Sequence, residues 1–114
     1  MRVTTLTKEP GTVVCQRCYM ATSALTRLRG LLGRASLEPG EGMLFRPAGS
    51  IHMFFMRFAI DVVWLDRDLH VLDVRANLRP WRTAARRGAR AALELAAGEC
   101  ERICLRAGDR LAFA

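Results

Sequence analysis

Ser50-Ile51-His52-Met53-Phe54-Phe55-Met56-Arg57-Phe58-Ala59-Ile60-Asp61-Val62-Val63-Trp64-Leu65-Asp66 decides the fold. Its second half, Ile60 to Leu65, is β-branched and apolar, which marks a strong strand. Strand alternation places Asp61, Val63 and Leu65 on one face and Ile60, Val62 and Trp64 on the other. Both faces are apolar, so the strand is expected to be covered on both sides and Asp61 to be at least partly buried. A buried carboxylate needs a partner. Arg29, Arg34 or Arg57 could supply one through a bidentate guanidinium contact. The structural reading is an ion pair that pins a helix to the sheet, and the residue pattern favours it. The functional reading is a general base, or a group that orients a ligand in a pocket.

Short strands with turns follow on either side. Val13 to Tyr19, Met43 to Arg46, Ile51 to Phe55, Leu69 to Ala76, Ala91 to Ala96 and Arg110 to Phe113 read as strands, separated by turn signals such as Pro39-Gly40, Pro47/Gly49, Asp66-Arg67-Asp68 and Gly108-Asp109. Ser23 is placed to cap a helix running to about Leu32, with Gly33 as its stop and Leu25, Leu28 and Leu32 facing the core. Glu99 to Leu105 reads as one or two helical turns. Residues 1 to about 10 read as a loosely held tail, and Asn77 to Ala89 as a long loop. The expected class is mainly β (α+β): a compact β-sandwich or barrel-like domain with one N-terminal helix and a short C-terminal helix.

The chain has 114 residues, 51% of them hydrophobic, enough to fill the core of a single domain. No apolar run approaches the roughly 20 residues of a membrane-spanning helix, and residues 1 to 11 carry no apolar signal region, so a cytoplasmic location without membrane insertion is expected. Net charge is +7, from 18 basic and 11 acidic residues. Lys8 is the one lysine among them, and the arginine bias is in part a coding habit of a GC-rich genome. The charge still favours acidic partners. It is concentrated between Val74 and Leu93, where Arg75, Arg79, Arg82, Arg86, Arg87 and Arg90 occur without an acid. That stretch reads either as a solvated loop or as a contact for an anion. Trp81 alone interleaves the arginines, too few aromatics for a base-stacking surface, and no nucleic-acid-binding motif is visible, so specific nucleic-acid recognition is not expected.

Further boxes carry a resemblance. Arg29-Gly30-Leu31-Leu32-Gly33-Arg34, Gly42-Met43-Leu44, the Phe54/Met56/Arg57 and Ile60-Asp61 steps, Leu93-Glu94-Leu95-Ala96-Ala97-Gly98 and Gly108-Asp109 together resemble the bacterial and archaeal family known as domain of unknown function 192. Leu78-Arg79-Pro80-Trp81-Arg82 looks like a loop of one branch of that family. The resemblance spans about Ala21 to Leu111 and implies a mostly-β, sandwich-like domain. Ala59 stands where many members have proline, Leu69 where many have glycine, and Phe55 where that branch has a small residue.

Three other features bear on chemistry. His52 could pair with Asp61 as an acid–base couple, though a packed histidine is the plainer reading. Cys15 and Cys18, with Cys100 and Cys104, could form a four-thiolate metal site. In a continuous strand, however, Cys15 and Cys18 point to opposite faces, so no metal or other cofactor is expected. Met53-Phe54-Phe55-Met56 reads as core, or as a soft apolar docking surface. The leading functional expectation is a binding module for an anionic small molecule or an acidic protein surface, with Arg29, Arg34, His52, Arg57, Asp61, Arg79, Trp81, Arg82 and Arg86 as candidate binding residues. The alternatives are a hydrolase or transferase using His52 and Asp61 with arginine clamps, or a structural assembly factor.

Overall fold

The computed structural model describes residues 2–23, 27 and 30–114. Nine strands are described: β1 (Arg2–Lys8), β2 (Thr12–Ala21), β3 (Glu41–Phe45), β4 (Ser50–His52), β5 (Ile60–Leu65), β6 (Val71–Leu78), β7 (Thr83–Ala85), β8 (Ala91–Ala96) and β9 (Leu111–Phe113). A short helix, α1 (Glu99–Arg102), follows β8. Seven strands make one sheet in the order β6-β5-β8-β3-β2-β1-β9, and β4 pairs with β7 in a separate two-stranded sheet. The large sheet curls into a half-barrel. Its outer strands meet at one end, where His70 bridges Arg110 and the Val71 amide donates to the Asp109 carbonyl at 2.8 Å.

Every residue of β3 and β5 is buried, and so is β8 up to Ala96. Alternation therefore feeds two cores. Leu44, Val63, Leu65, Leu93 and Leu95 line the inner face with Leu6, Val14 and Leu111. Met43, Phe45, Val62, Trp64 and Ala92 line the outer face and pack beneath Leu31, Leu37, Met53 and Met56. The inner core is closed by the sheet's own curl. The outer one is covered by the segment after Gly30 and by the small β4/β7 sheet.

The expected class holds in its mainly-β part, and several details change. The N-terminal helix is not supported. Much of the expected span, with Leu25 and Leu28, lies outside the described residues. Arg27 donates its amide to the Ser23 carbonyl at 3.0 Å, but Gly30 to Gly33 form turns, with φ of +49° at Gly30 and +86° at Gly33. The left-handed Gly30 stops any helical path before it reaches Leu32, and Gly33 turns the chain again directly after. Nor is the N-terminal segment a loose tail. Arg2–Lys8 is a strand held between β2 and β9, and Leu6 is fully buried. Thr83–Ala85, inside the expected loop, pairs with β4.

Cys15 and Cys18 also depart from expectation. Thr4 pairs with Cys18 and Leu6 with Cys15, so two steps along β1 match three along β2. The extra residue is a β-bulge, which turns both cysteines to the inner core. Cys100 joins them there while Cys104 is exposed, so the four thiols do not gather into one site. Cys18 donates toward Cys15 and is buried, which holds its thiol well above the ordinary range. The same contact lowers Cys15.

Asp61 is buried, 1% exposed, but its partner is not an arginine. One carboxylate oxygen accepts the Asn77 amide at 2.9 Å; the other accepts the amides of Gly98 at 3.1 Å and Cys100 at 3.0 Å. The carboxylate thus ties β5 to the end of β6 and to the turn entering α1. Arg34 instead pairs with Glu41 at 3.0 Å, and Arg29 lies outside the described residues. Backbone amides outcompete the guanidinium because Asp61 faces the inner core, whereas Arg34 lies beside Glu41 and the Tyr19 ring. Asp61→Ala is expected to cost about 3 kcal/mol or more in denaturant melts, because it orphans three amide donors. Arg34→Ala is expected to cost less, through its contacts with Glu41 and the Tyr19 ring.

Candidate functional site

Four acids are buried among the described residues: Glu41, Asp61, Glu94 and Glu99. Three are satisfied. Asp61 holds its three amides. Burial alone would raise the pKa of Glu41, but the Glu38 amide and the Arg34 guanidinium keep it below the ordinary carboxylate range. Glu99 is likewise held low by Arg102, which grips it at 2.7 and 2.9 Å. Glu94 makes no hydrogen bond or ion pair among the described residues. Its neighbours across the sheet are Met43 on β3 and Val62 on β5, both apolar. Burial pushes its carboxyl up to about 8, so at neutral pH the group is mostly protonated.

The free end of Glu94 faces a cavity of about 310 Å3 on the outer side of the sheet. The size lies near the lower end of small-molecule sites, about 300–1,000 Å3. Leu31, Phe45, Met53 and Met56 make an apolar wall, and the Pro47–Ser50 segment forms the edge. Gly30 lets the chain pass close to Phe45: a Cβ there would lie 3.0 Å from the phenyl ring. Among the described residues, two basic side chains reach the cavity, Arg27 and His52. The Arg27 guanidinium donates to the carbonyls of Thr22 at 3.1 Å and Arg46 at 3.5 Å, so its charge is oriented but not neutralised by an acid. The chemistry on offer is an apolar slot, a neutral carboxyl that both donates and accepts, and a fixed cation.

Of the sequence-derived candidates among the described residues, His52 alone lines this cavity. Its Nδ1 accepts the Phe54 amide at 3.4 Å and its ring stacks on Phe54. Asp61 lies on the opposite face of the sheet, so the proposed His52–Asp61 couple does not form: consecutive strand positions alternate, and Asp61 shares its face with Val63, not with Val62. Arg34 is engaged by Glu41. Arg57, Arg79 and Arg82 are exposed and make no ion pair among the described residues. Arg86 approaches Asp73 at 3.8 Å, so this arginine is less free than its acid-poor sequence context implies. Trp81 is 59% exposed. Glu94 is the residue that sequence reasoning missed. Its signal was there: an acid between Leu93 and Leu95 in an apolar strand poses the same problem as Asp61.

One group of metal-ligating type occurs among the described residues: Asp66, Asp68 and His70 at the β5–β6 turn. Its internal bonds account for it, since Asp66 accepts the amides of Asp68 and His70 at 2.8 and 2.9 Å and pairs with the His70 ring at 3.2 Å.

Comparison with known proteins agrees with this architecture. A UPF0127 protein from Thermococcus sibiricus is 32% identical over 114 aligned residues, covering 93% of this chain and 71% of that protein. A UPF0127 protein from Pyrococcus furiosus is 40% identical over 98 residues, covering 80% of this chain and 81% of that one. A crystal structure of a protein of unknown function from Novosphingobium aromaticivorans superposes with a TM-score of 0.82 at 25% identity, over 96% of this chain and 83% of its own. A structure described as a putative transcription regulator from Sinorhizobium meliloti superposes with a TM-score of 0.85 at 24% identity, over 97% and 92%, a likeness of fold alone. The family model of DUF192, described as "Uncharacterized ACR", matches residues 5–113, and the chain belongs to that family.

Proposed function

We propose that this domain is a binding module for a small organic acid with an apolar body, held in the cavity above Glu94. The observation that carries the reading is the unpartnered, mostly protonated Glu94 carboxyl facing an apolar slot that also holds the Arg27 guanidinium. The Glu94 oxygens open onto the cavity rather than being sealed in the core, so a ligand can reach them and supply the hydrogen-bond partner that the surrounding apolar side chains do not. At neutral pH the charged groups at the cavity are basic or neutralised by protonation. An anionic head would accept a hydrogen bond from the Glu94 carboxyl and a charge-assisted one from Arg27. The apolar body would lie against Leu31, Phe45 and Met53. In this reading His52 is a wall residue, not a catalyst.

The empty protein tests the protonation state. A carboxyl whose folded pKa lies above its unfolded value makes the native state bind more protons than the unfolded one. Stability is therefore expected to fall as pH rises from about 4.5 to about 8, then to level off. The expected total is on the order of a few kcal/mol. Glu94→Gln should flatten that slope in urea melts across the window. An unchanged slope would mean that Glu94 is ionised at neutral pH.

Binding can be tested with octanoate, octanol and octylamine as matched probes, by calorimetry and thermal shift. Octanoate is expected to bind most tightly at neutral pH and to lose affinity above about pH 8, as Glu94 ionises and repels it. Arg27→Ala should weaken octanoate by roughly tenfold and octanol little. Glu94→Gln should keep octanoate binding and remove its pH dependence. Tighter binding of octylamine than octanoate would overturn the reading, as would no binding by any of the three.

A further inference from the structure

Beside the cavity mouth, two tight turns stand side by side. In Met53–Met56 the Met56 amide donates to the Met53 carbonyl at 3.2 Å; in Arg79–Arg82 the Arg82 amide donates to the Arg79 carbonyl at 3.3 Å. They are clipped together by the Trp81 amide on the Met53 carbonyl and the Met53 amide on the Arg82 carbonyl, both at 2.7 Å. The third residue of each turn has positive φ: +65° at Phe55 and +70° at Trp81. Their second residues, Phe54 and Pro80, do not, so both follow the type II pattern, whose third position suits glycine. Two bulky aromatics occupy it instead, at a cost in backbone strain that their exposed side chains do not offset by burial.

These residues form an aromatic cluster that nothing among the described residues covers. Phe55 is 72% exposed, Trp81 59% and Phe54 41%. The Phe55 and Trp81 rings lie 4.9 Å apart, Phe54 lies 6.0 Å from Trp81, and His52 stacks under Phe54 at 4.9 Å. Arg57, Arg79 and Arg82 adjoin the cluster, exposed and without an ion pair among the described residues. The segments that build this face, residues 46–60 and 74–89, contain no acid at all.

We propose that this face docks the domain on an anionic lipid bilayer, with Phe55 and Trp81 in the headgroup–acyl boundary and the arginines on the lipid phosphates. Charge complementarity calls for a polyanion, and the exposed apolar rings at turn tips call for an apolar layer behind it, which a bilayer interface supplies together. A single-stranded nucleic acid would supply the charge, but it needs open ring faces for its bases. Here the rings of Phe55 and Phe54 are tilted by 58° and 34° to that of Trp81, so they offer no parallel platform for successive bases, and His52 covers one face of Phe54. Docking is peripheral: no helix among the described residues is long and apolar enough to cross a membrane. The proposal stands apart from the cavity reading, although it would set the cavity mouth beside the lipid surface.

The test is co-sedimentation of the full chain with vesicles of phosphatidylcholine containing about 30% phosphatidylglycerol, against pure phosphatidylcholine, at about 0.1 M salt. Binding is expected to the anionic vesicles only and to fall as salt rises. Trp64 is buried, at 2% exposure, so a blue shift of tryptophan emission on binding reports Trp81. Phe55→Gly should reduce vesicle affinity by roughly tenfold or more while the Tm stays level or rises, because glycine relieves the positive φ. The Arg79→Ala, Arg82→Ala double variant should lose binding with an unchanged Tm. Both should retain octanoate binding, and Glu94→Gln should retain vesicle binding, so failure here is distinct from failure of the cavity reading. No binding to anionic vesicles overturns the proposal. So does equal binding to neutral ones, or capture of oligo-dT or poly-glutamate in place of vesicles.

Discussion

Burial of β3, β5 and β8 on both faces is the constraint from which the rest of this structure follows. Most of a half-exposed sheet can place polar side chains on its wet side. Here the central strands have no wet side, so each acid within them has to find an internal solution. Asp61 takes three backbone amides and in doing so fixes the end of β6 and the start of α1 against β5. Glu41 takes Arg34 and the Glu38 amide, which anchors the segment leading into β3. Glu94 has no partner among the described residues, and burial leaves it mostly protonated at neutral pH. The same physical demand thus produces two structural clamps and one candidate binding group.

The difference between Asp61 and Glu94 lies in what covers each face. The inner face is closed by the curl of the sheet and by the start of α1, where the Gly98 and Cys100 amides point at Asp61. The outer face is closed by irregular chain after Gly30 and by the small β4/β7 sheet, which leave a gap above Glu94. A regular element brings backbone donors in a row; side chains such as Leu31, Phe45 and Met53 bring none. The wall beside Glu94 is therefore apolar and the acid unpaired among the described residues, which is the combination that favours a neutral carboxyl at physiological pH.

The β4/β7 sheet performs a second task. Its strands bury Ile51 and Ala84 against the outer core, while the turns beyond them hold Phe55 and Trp81 outward. Backbone bonds between Met53, Trp81 and Arg82 lock the two turns together, so the strain at Phe55 and Trp81 is sustained by the rest of the lobe. In the sequence, Met53 to Met56 reads as either core or docking surface. The structure divides the run: both methionines are buried and both phenylalanines exposed, as a turn in place of a strand dictates.

By itself the sequence determined the mainly-β class, the span Ala91–Ala96, the two-faced burial of Ile60–Leu65 and the internal position of Asp61. These follow from side-chain periodicity and β-branched content, which are local properties. Tertiary structure decided everything that depends on which chain segment arrives at a given face. It gave Asp61 backbone amides in place of Arg34, turned Cys15 and Cys18 to one side through a bulge, and drew Arg2–Lys8 into the sheet between β2 and β9. It also set Glu94 beneath a gap and Asp61 beneath a row of amides, although the two acids sit in equally apolar strands. A strand pattern records that a face is covered; the partner that covers it is chosen by contacts between residues far apart in the chain, and no local spacing encodes those.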